Sequence, residues 1–83
     1  MPIDGYNEND VVRVTRALRG DNPYGGGSVF VPSGQQGTII VGEPGDRAYD
    51  VEFTLDSPGS TYGIKNAVLT VAAEDLELVE RWS

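Results

Sequence analysis

The chain has 83 residues, room for one small domain, with 13 acidic and 6 basic side chains, a net charge of −7, and neither Cys nor His. Those counts exclude a Cys/His zinc site, a disulfide framework, a thiol nucleophile and an imidazole base. The apolar runs are a few residues long, far short of the ~20 that span a bilayer, and no signal-peptide pattern opens the sequence, so the expectation is a cytoplasmic protein without a membrane segment. Hydrophobic residues at 39% and charged residues at 23% give a globular composition. A chain of this size buries roughly 60–65% of the surface its unfolded form exposes. Its apolar side chains must therefore share one filled core, which favours a small packed barrel over a domain with an internal cavity.

In chain order, residues 1–9 are polar and aperiodic and read as a flexible N-terminal arm, with Ile3 or Tyr6 as its points of attachment. Asp10 to Arg16 reads as the first strand, with Val12 and Val14 on one face and Val11, Arg13 and Thr15 on the other. Residues 17–35 hold Gly20, Asn22-Pro23, the run Gly25-Gly26-Gly27, Pro32 and Gly34, a dense set of turn signals. Structureless loops of that length are uncommon in compact domains, so this stretch is expected to fold over as a hairpin around Val29-Phe30-Val31. Gly37 to Val41 reads as the second strand, with Ile39 and Val41 sharing a face. After the turn Gly42–Arg47, Ala48 to Thr54 alternates Tyr49, Val51 and Phe53 against Asp50, Glu52 and Thr54, one dry face and one wet face. A loop over 55–63 precedes a fourth strand from Ile64 to Val71, with Ala67, Leu69 and Val71 facing inward. Ala72 to Asp75 is too short for a stable α-helix and reads as a 3₁₀ turn. Leu76 to Val79 closes the sheet, and 80–83 form a tail with the sole Trp. The fold expected is all-β, a small five-stranded barrel with a long first loop.

The pieces Asp10-Val11-Val12-Arg13-Val14, Gly34-Gln35-Gln36-Gly37-Thr38-Ile39-Ile40, Ala48-Tyr49-Asp50-Val51-Glu52-Phe53 and Asp75-Leu76-Glu77-Leu78-Val79 together resemble the small SH3-like barrels of bacteria. They are most similar to the uncharacterised DUF4926 family over roughly residues 10–79. The resemblance implies an SH3-like barrel in which Gly37 permits a close strand crossing. It implies no catalytic residues. The Gly run at 25–27 and the acidic tail with Trp82 depart from the family pattern.

Several constellations carry alternative readings. Asp50 and Glu52, with Glu43 and Asp46 in the adjoining turn, suit a solvated strand face better than acid–base work or a cation site, since neither an imidazole nor calcium-loop spacing accompanies them. Arg13, Arg16 and Arg19 form either a cationic patch or the partners of acids such as Glu77 and Glu80; the second reading is preferred. With −7 overall they make nucleic acid a poor partner, because phosphate neutralisation supplies most of that affinity. The Gly run lacks the Gly-Lys-Ser/Thr ending and the following helix of a phosphate loop. Tyr24, Phe30 and Tyr62 are candidates to line a partner groove beside the long loop, or, for Phe30 and Tyr62, to cap the barrel ends. Trp82 either folds over a barrel end or is offered to a partner.

The function expected is a non-catalytic protein-interaction module without cofactor or metal. Tyr24, Phe30, Tyr62, Asp50, Glu52 and Trp82 are its partner-binding residues, and its acidic surface selects a basic protein partner. An immunity protein, antitoxin or phage inhibitor fits that description. The alternative is a subunit of a larger complex or a homo-oligomer, with Val11, Ile40 and Val79 at the interface.

Overall fold

The computed structural model describes residues 5–25, 27–56 and 64–81. Among the described residues, seven strands and one 3₁₀ turn succeed one another: β1 (Val11–Val14), β2 (Leu18–Asp21), β3 (Ser28–Val31), β4 (Gln36–Val41), β5 (Ala48–Asp56), β6 (Ile64–Ala72), the turn Ala73–Asp75, and β7 (Leu76–Glu80). Five strands form one antiparallel sheet in the order β6-β5-β4-β1-β7, and β2 and β3 form a separate two-stranded ribbon. The all-β expectation and the 3₁₀ turn before the last strand are both present. Among the described residues no helix is long and apolar enough to cross a membrane.

The period-two pattern decides which side of each strand is dry. Val12, Val14, Ile39, Tyr49, Val51, Phe53 and Val71 are each at most 1% exposed, and Leu69 and Leu76 are buried beside them. One rank of this inner face crosses the whole sheet: Leu78, Val12, Gly37, Phe53 and Ala67 lie directly opposite one another in turn. The long first loop is a hairpin, as its turn signals required. Leu18 pairs with Val31 and Gly20 with Val29. Val29 and Val31 enter the core, and a Cβ on Gly20 would lie 2.9 Å from Leu69 Cδ1 of β6, so the ribbon packs down on the sheet. Asn22 turns the ribbon: its N–H donates to Gly27 O and its Oδ1 accepts from the Tyr24 N–H at 2.8 Å. Gly25 and Gly27 hold the positive φ values this tip needs.

One facing departs from the sequence pattern. Ile39 and Val41 were expected on the same side, yet Ile39 is fully buried and Val41 is 50% exposed. Ile39 pairs with Val51 and Val41 with Asp50, so Ile40 is an extra residue in the ladder. This bulge turns the end of β4 outward.

The segment before β1 is built into the body. The Asn9 N–H donates to Ile39 O, and the Ile39 N–H donates to Asp10 O. The Tyr6 hydroxyl donates to Leu76 O at 3.0 Å, and its ring meets the Tyr49 ring edge-on at 5.4 Å. The Tyr49 hydroxyl accepts from the Tyr6 N–H and donates to Glu43 O. Asp10 is completely buried; its carboxylate accepts from the Asn7 N–H at 2.9 Å and lies 3.4 Å from Arg81 Nη1.

Two arginines brace the outside. Arg13 bonds Glu77 at 2.6 Å across β1 and β7, and Arg16 reaches both oxygens of Asp75 at 2.9 and 3.0 Å. The hydrogen bonds from Arg16, seconded by its charge, hold the Asp75 carboxyl below its ordinary 3.8 despite some desolvation. A carboxyl lowered in the folded state adds stability above its unfolded pKa, and that stability is lost as pH falls through the folded value. Arg16→Ala should return the Asp75 carboxyl to the ordinary range in an NMR pH titration and make acid unfolding begin at higher pH. An unchanged Asp75 titration would show that the pair is not populated in solution.

Candidate functional site

The wet face of β5 is the centre of the surface anticipated for a partner. Asp50 stands between the ribbon tip and β6: the Tyr24 hydroxyl donates to Asp50 Oδ2 at 2.9 Å and the Thr70 hydroxyl to Oδ1 at 2.6 Å. Tyr24 is 62% exposed, so the ring lies on the surface and only its hydroxyl is held. The hydrogen bond to Asp50, with desolvation and the carboxylate charge behind it, lifts the Tyr24 phenol above its ordinary 10.0. Glu52 follows two residues along, exposed, with Thr38 of β4 on one side and Val68 of β6 on the other. Tyr24, Asp50 and Glu52 are thus one continuous surface.

Phe30 is elsewhere. It points away from the core on the outer side of the ribbon, half-exposed, with the guanidinium of Arg19 5.5 Å from its ring centre. Opposite positions in β2 and β3 bring the two together, a cation–π contact that belongs to the ribbon. Among the described residues the Tyr6–Tyr49 pair is the sole ring–ring contact, so Tyr24 and Phe30 do not form an aromatic groove. Tyr62 and Trp82, the other two anticipated partner residues, lie outside the described residues.

Asp50→Asn keeps the shape of the anchor for Tyr24 and removes its charge. The Tyr24 phenol should then ionise closer to 10.0, read from its ring carbon by NMR, and amide exchange at Gly25 should accelerate as the ribbon tip loosens. Equal titration in both proteins would mean that the Tyr24–Asp50 bond does not form.

A second concavity was not foreseen. An open groove of about 820 Å³ runs between Tyr6, the turn at Gly45–Arg47, the turn residues Ala73 and Glu74, and Leu78. Three segments distant in sequence meet there, residues 5–6, 45–47 and 72–81, so no local pattern announces it. Its rim mixes Asp46 and Glu74 with Arg47 and Arg81, and Arg81 is already engaged with Asp10 and with Gly5 O. Among the described residues no three acidic side chains converge in a way that could hold a metal ion.

Three of the arginines are paired one to one with acids. Arg13, Arg16 and Arg81 are engaged in ion pairs with Glu77, Asp75 and Asp10, and Arg19 lies over Phe30. Among the described residues no cation lies within ion-pair distance of Glu43, Asp46, Asp50, Glu52, Glu74 or Glu80. Those six carboxylates outnumber Arg19 and Arg47, the exposed arginines that no ion pair engages among the described residues.

No protein-family model matches the chain, and no curated protein or solved structure does either.

Proposed function

We propose that the chain is a small SH3-like barrel, akin to the DUF4926 family, that serves as a non-catalytic protein-interaction module for a basic protein partner. The strand order β6-β5-β4-β1-β7, the ribbon between the first two strands of the sheet and the 3₁₀ turn before the last strand support the fold assignment. The observation that carries the functional reading is the segregation of charge. Among the described residues Arg13, Arg16 and Arg81 are ion-paired within the molecule and Arg19 and Arg47 are not, whereas six carboxylates, Glu43, Asp46, Asp50, Glu52, Glu74 and Glu80, have no cation within ion-pair distance. Such a field accelerates encounter with a positive surface and repels acidic competitors. An immunity, antitoxin or inhibitor protein acting on a basic target is the role that suits it best.

The test is capture of partners from native cells with the wild-type chain, followed by a salt titration of the recovered complex. A basic protein whose association rate falls about tenfold or more between low and high salt is the expected result. A partner of acidic or neutral charge, or a rate indifferent to salt, would overturn the reading. The homo-oligomer alternative draws on Val11, Ile40 and Val79, of which Val79 is 40% exposed and the other two are half-buried. It predicts a dimer by light scattering, against the repulsion of −7 on every copy.

A further inference from the structure

The outward face of the sheet carries an ordered band that runs across all five strands. In register, Glu80 of β7 lies opposite Val11 of β1, Val11 opposite Thr38 of β4, Thr38 opposite Glu52 of β5, and Glu52 opposite Val68 of β6, which is buried, so the accessible part runs from Glu80 to Glu52. Its middle is methyl-bearing, and it is flanked by two exposed carboxylates. Arg13, on the adjacent rank, is bonded to Glu77 and so is not available to either of them. A shallow depression of about 190 Å³ lies along the band, lined by Val11, Gln36, Thr38, Glu52 and Thr54.

The spacing of the band specifies a ligand. Glu80 and Glu52 stand three strand intervals apart, and neighbouring strands are separated by about 4.8 Å, so the two carboxylates are about 14 Å apart at the level of the backbone. An extended peptide advances about 3.4 Å per residue and turns every second side chain to the same side. Side chains four residues apart on such a segment are therefore about 14 Å apart and face the same way, with the side chain between them aimed at the centre. A helix needs about nine residues for that reach, at 1.5 Å per residue.

We propose that this face docks an extended segment of a partner protein, laid across the strands, with Lys or Arg at two positions four residues apart and an apolar residue midway. The basic groups meet Glu80 and Glu52, and the central side chain sits over Val11 and Thr38. This rests on the reading of the chain as a module for a basic partner, and it names the surface and the pattern recognised. A second copy does not suit the face, because two such bands would bring Glu52 and Glu80 of both copies together.

The experiment titrates the intact ¹⁵N-labelled protein with two probe peptides of equal composition, acetyl-Lys-Ser-Val-Ser-Lys-amide and acetyl-Lys-Lys-Ser-Val-Ser-amide. The first should shift the amides of Val11, Thr38 and Glu52 and bind at least about fivefold more tightly than the second. Glu52→Gln with Glu80→Gln, both at exposed positions, should remove that preference while leaving the rest of the spectrum in place. Equal affinity of the two peptides, shifts centred on Tyr6 and Leu78 in the groove, or no shift at millimolar peptide would each overturn the proposal. Shifts of the same face on simple concentration of the protein would overturn it in favour of a second copy. The cell-capture experiment fails or succeeds separately. A basic partner that binds the double variant as well as wild type leaves the module reading intact and removes this surface. A peptide preference without any basic partner does the reverse.

Discussion

Gly37→Ala should cost the domain about 3 kcal/mol, the upper part of the range for overpacking a filled core, and Gly37→Val should leave it unfolded. Gly37 is buried in the inner rank between Val12 and Phe53. A Cβ built there would lie 2.7 Å from Phe53 Cδ1, 2.8 Å from Val51 Cγ1 and 2.8 Å from the carbonyl oxygen of Glu52. The ring can turn a little, but the Glu52 carbonyl belongs to the β5 backbone and cannot move without disturbing its ladders. Phe53 occupies the volume that a side chain at position 37 would fill, so the absence of one is a packing requirement. A chain of this length has roughly 4–12 kcal/mol of total stability, and 3 kcal/mol lowers its melting temperature by roughly 12–24 °C. Gly34→Ala is the control. Its φ is +86°, but a Cβ there meets nothing within 4 Å, so only backbone strain of about 1–2 kcal/mol applies. Melting of Gly37→Ala within a few degrees of wild type would refute the packing argument.

Asp10→Ala should cost about 2–3 kcal/mol, the range for hydrogen bonds made by a buried charged group. It should also release the segment before β1. The completely buried carboxylate accepts the Asn7 N–H and faces Arg81 Nη1, so its removal leaves that donor unpaired and takes the counter-charge from Arg81, whose side chain is 43% exposed and still reaches Gly5 O. That partial exposure keeps the cost below the 3–5 kcal/mol of breaking a wholly buried pair. Asp10→Asn retains an acceptor and should lose about half as much. Amide exchange at Asn9, whose N–H donates to Ile39 O, should speed up in the Ala variant well before global unfolding. If Asn9 stays protected to the global limit, the segment is held by Tyr6 and Tyr49 alone. Because Tyr6 and Arg81 also line the large groove, the same variant should widen it.

The inferred docking band and the Gly37 variants are linked through the sheet. Ranks of opposed residues cross the sheet from β7 to β6, with Gly37 and Phe53 in an inner rank and Val11 and Glu52 in an outer one. Overpacking the inner rank should therefore distort the outer one, and the peptide preference should weaken in any Gly37 variant that still folds.

Alternation made the strands legible. Tyr49, Val51 and Phe53 against Asp50, Glu52 and Thr54 can be dry and wet in only one register, because side chains in a strand change sides at every residue. The turn residues between 17 and 35 likewise forced a hairpin, and four residues at 72–75 could form no more than a 3₁₀ turn. The pairing of Arg13 with Glu77 was also anticipated from the acidic excess. Val41 was misplaced because the bulge at Ile40 is a property of the pairing with β5, invisible within β4 itself. Tyr6 was read as an attachment point of residues 1–9, but the partners that hold residues 5–10 were hidden. Their attachments run through single polar groups, Asp10 and the Tyr6 hydroxyl, to partners up to 70 residues away, and such contacts leave no period. Phe30 was grouped with Tyr24 by nearness in sequence, but the ribbon sends Phe30 outward under Arg19 and folds Tyr24 over to Asp50.

From the amino-acid order alone came the strand faces, the turns and the sign of the surface charge, all of which depend on neighbours a few residues away. Only the assembled sheet decided which carboxylates keep no counter-ion and how far apart Glu52 and Glu80 stand. It also decided which glycine has no room for a side chain. Those are distances between strands, and they exist only once the strands have been placed side by side.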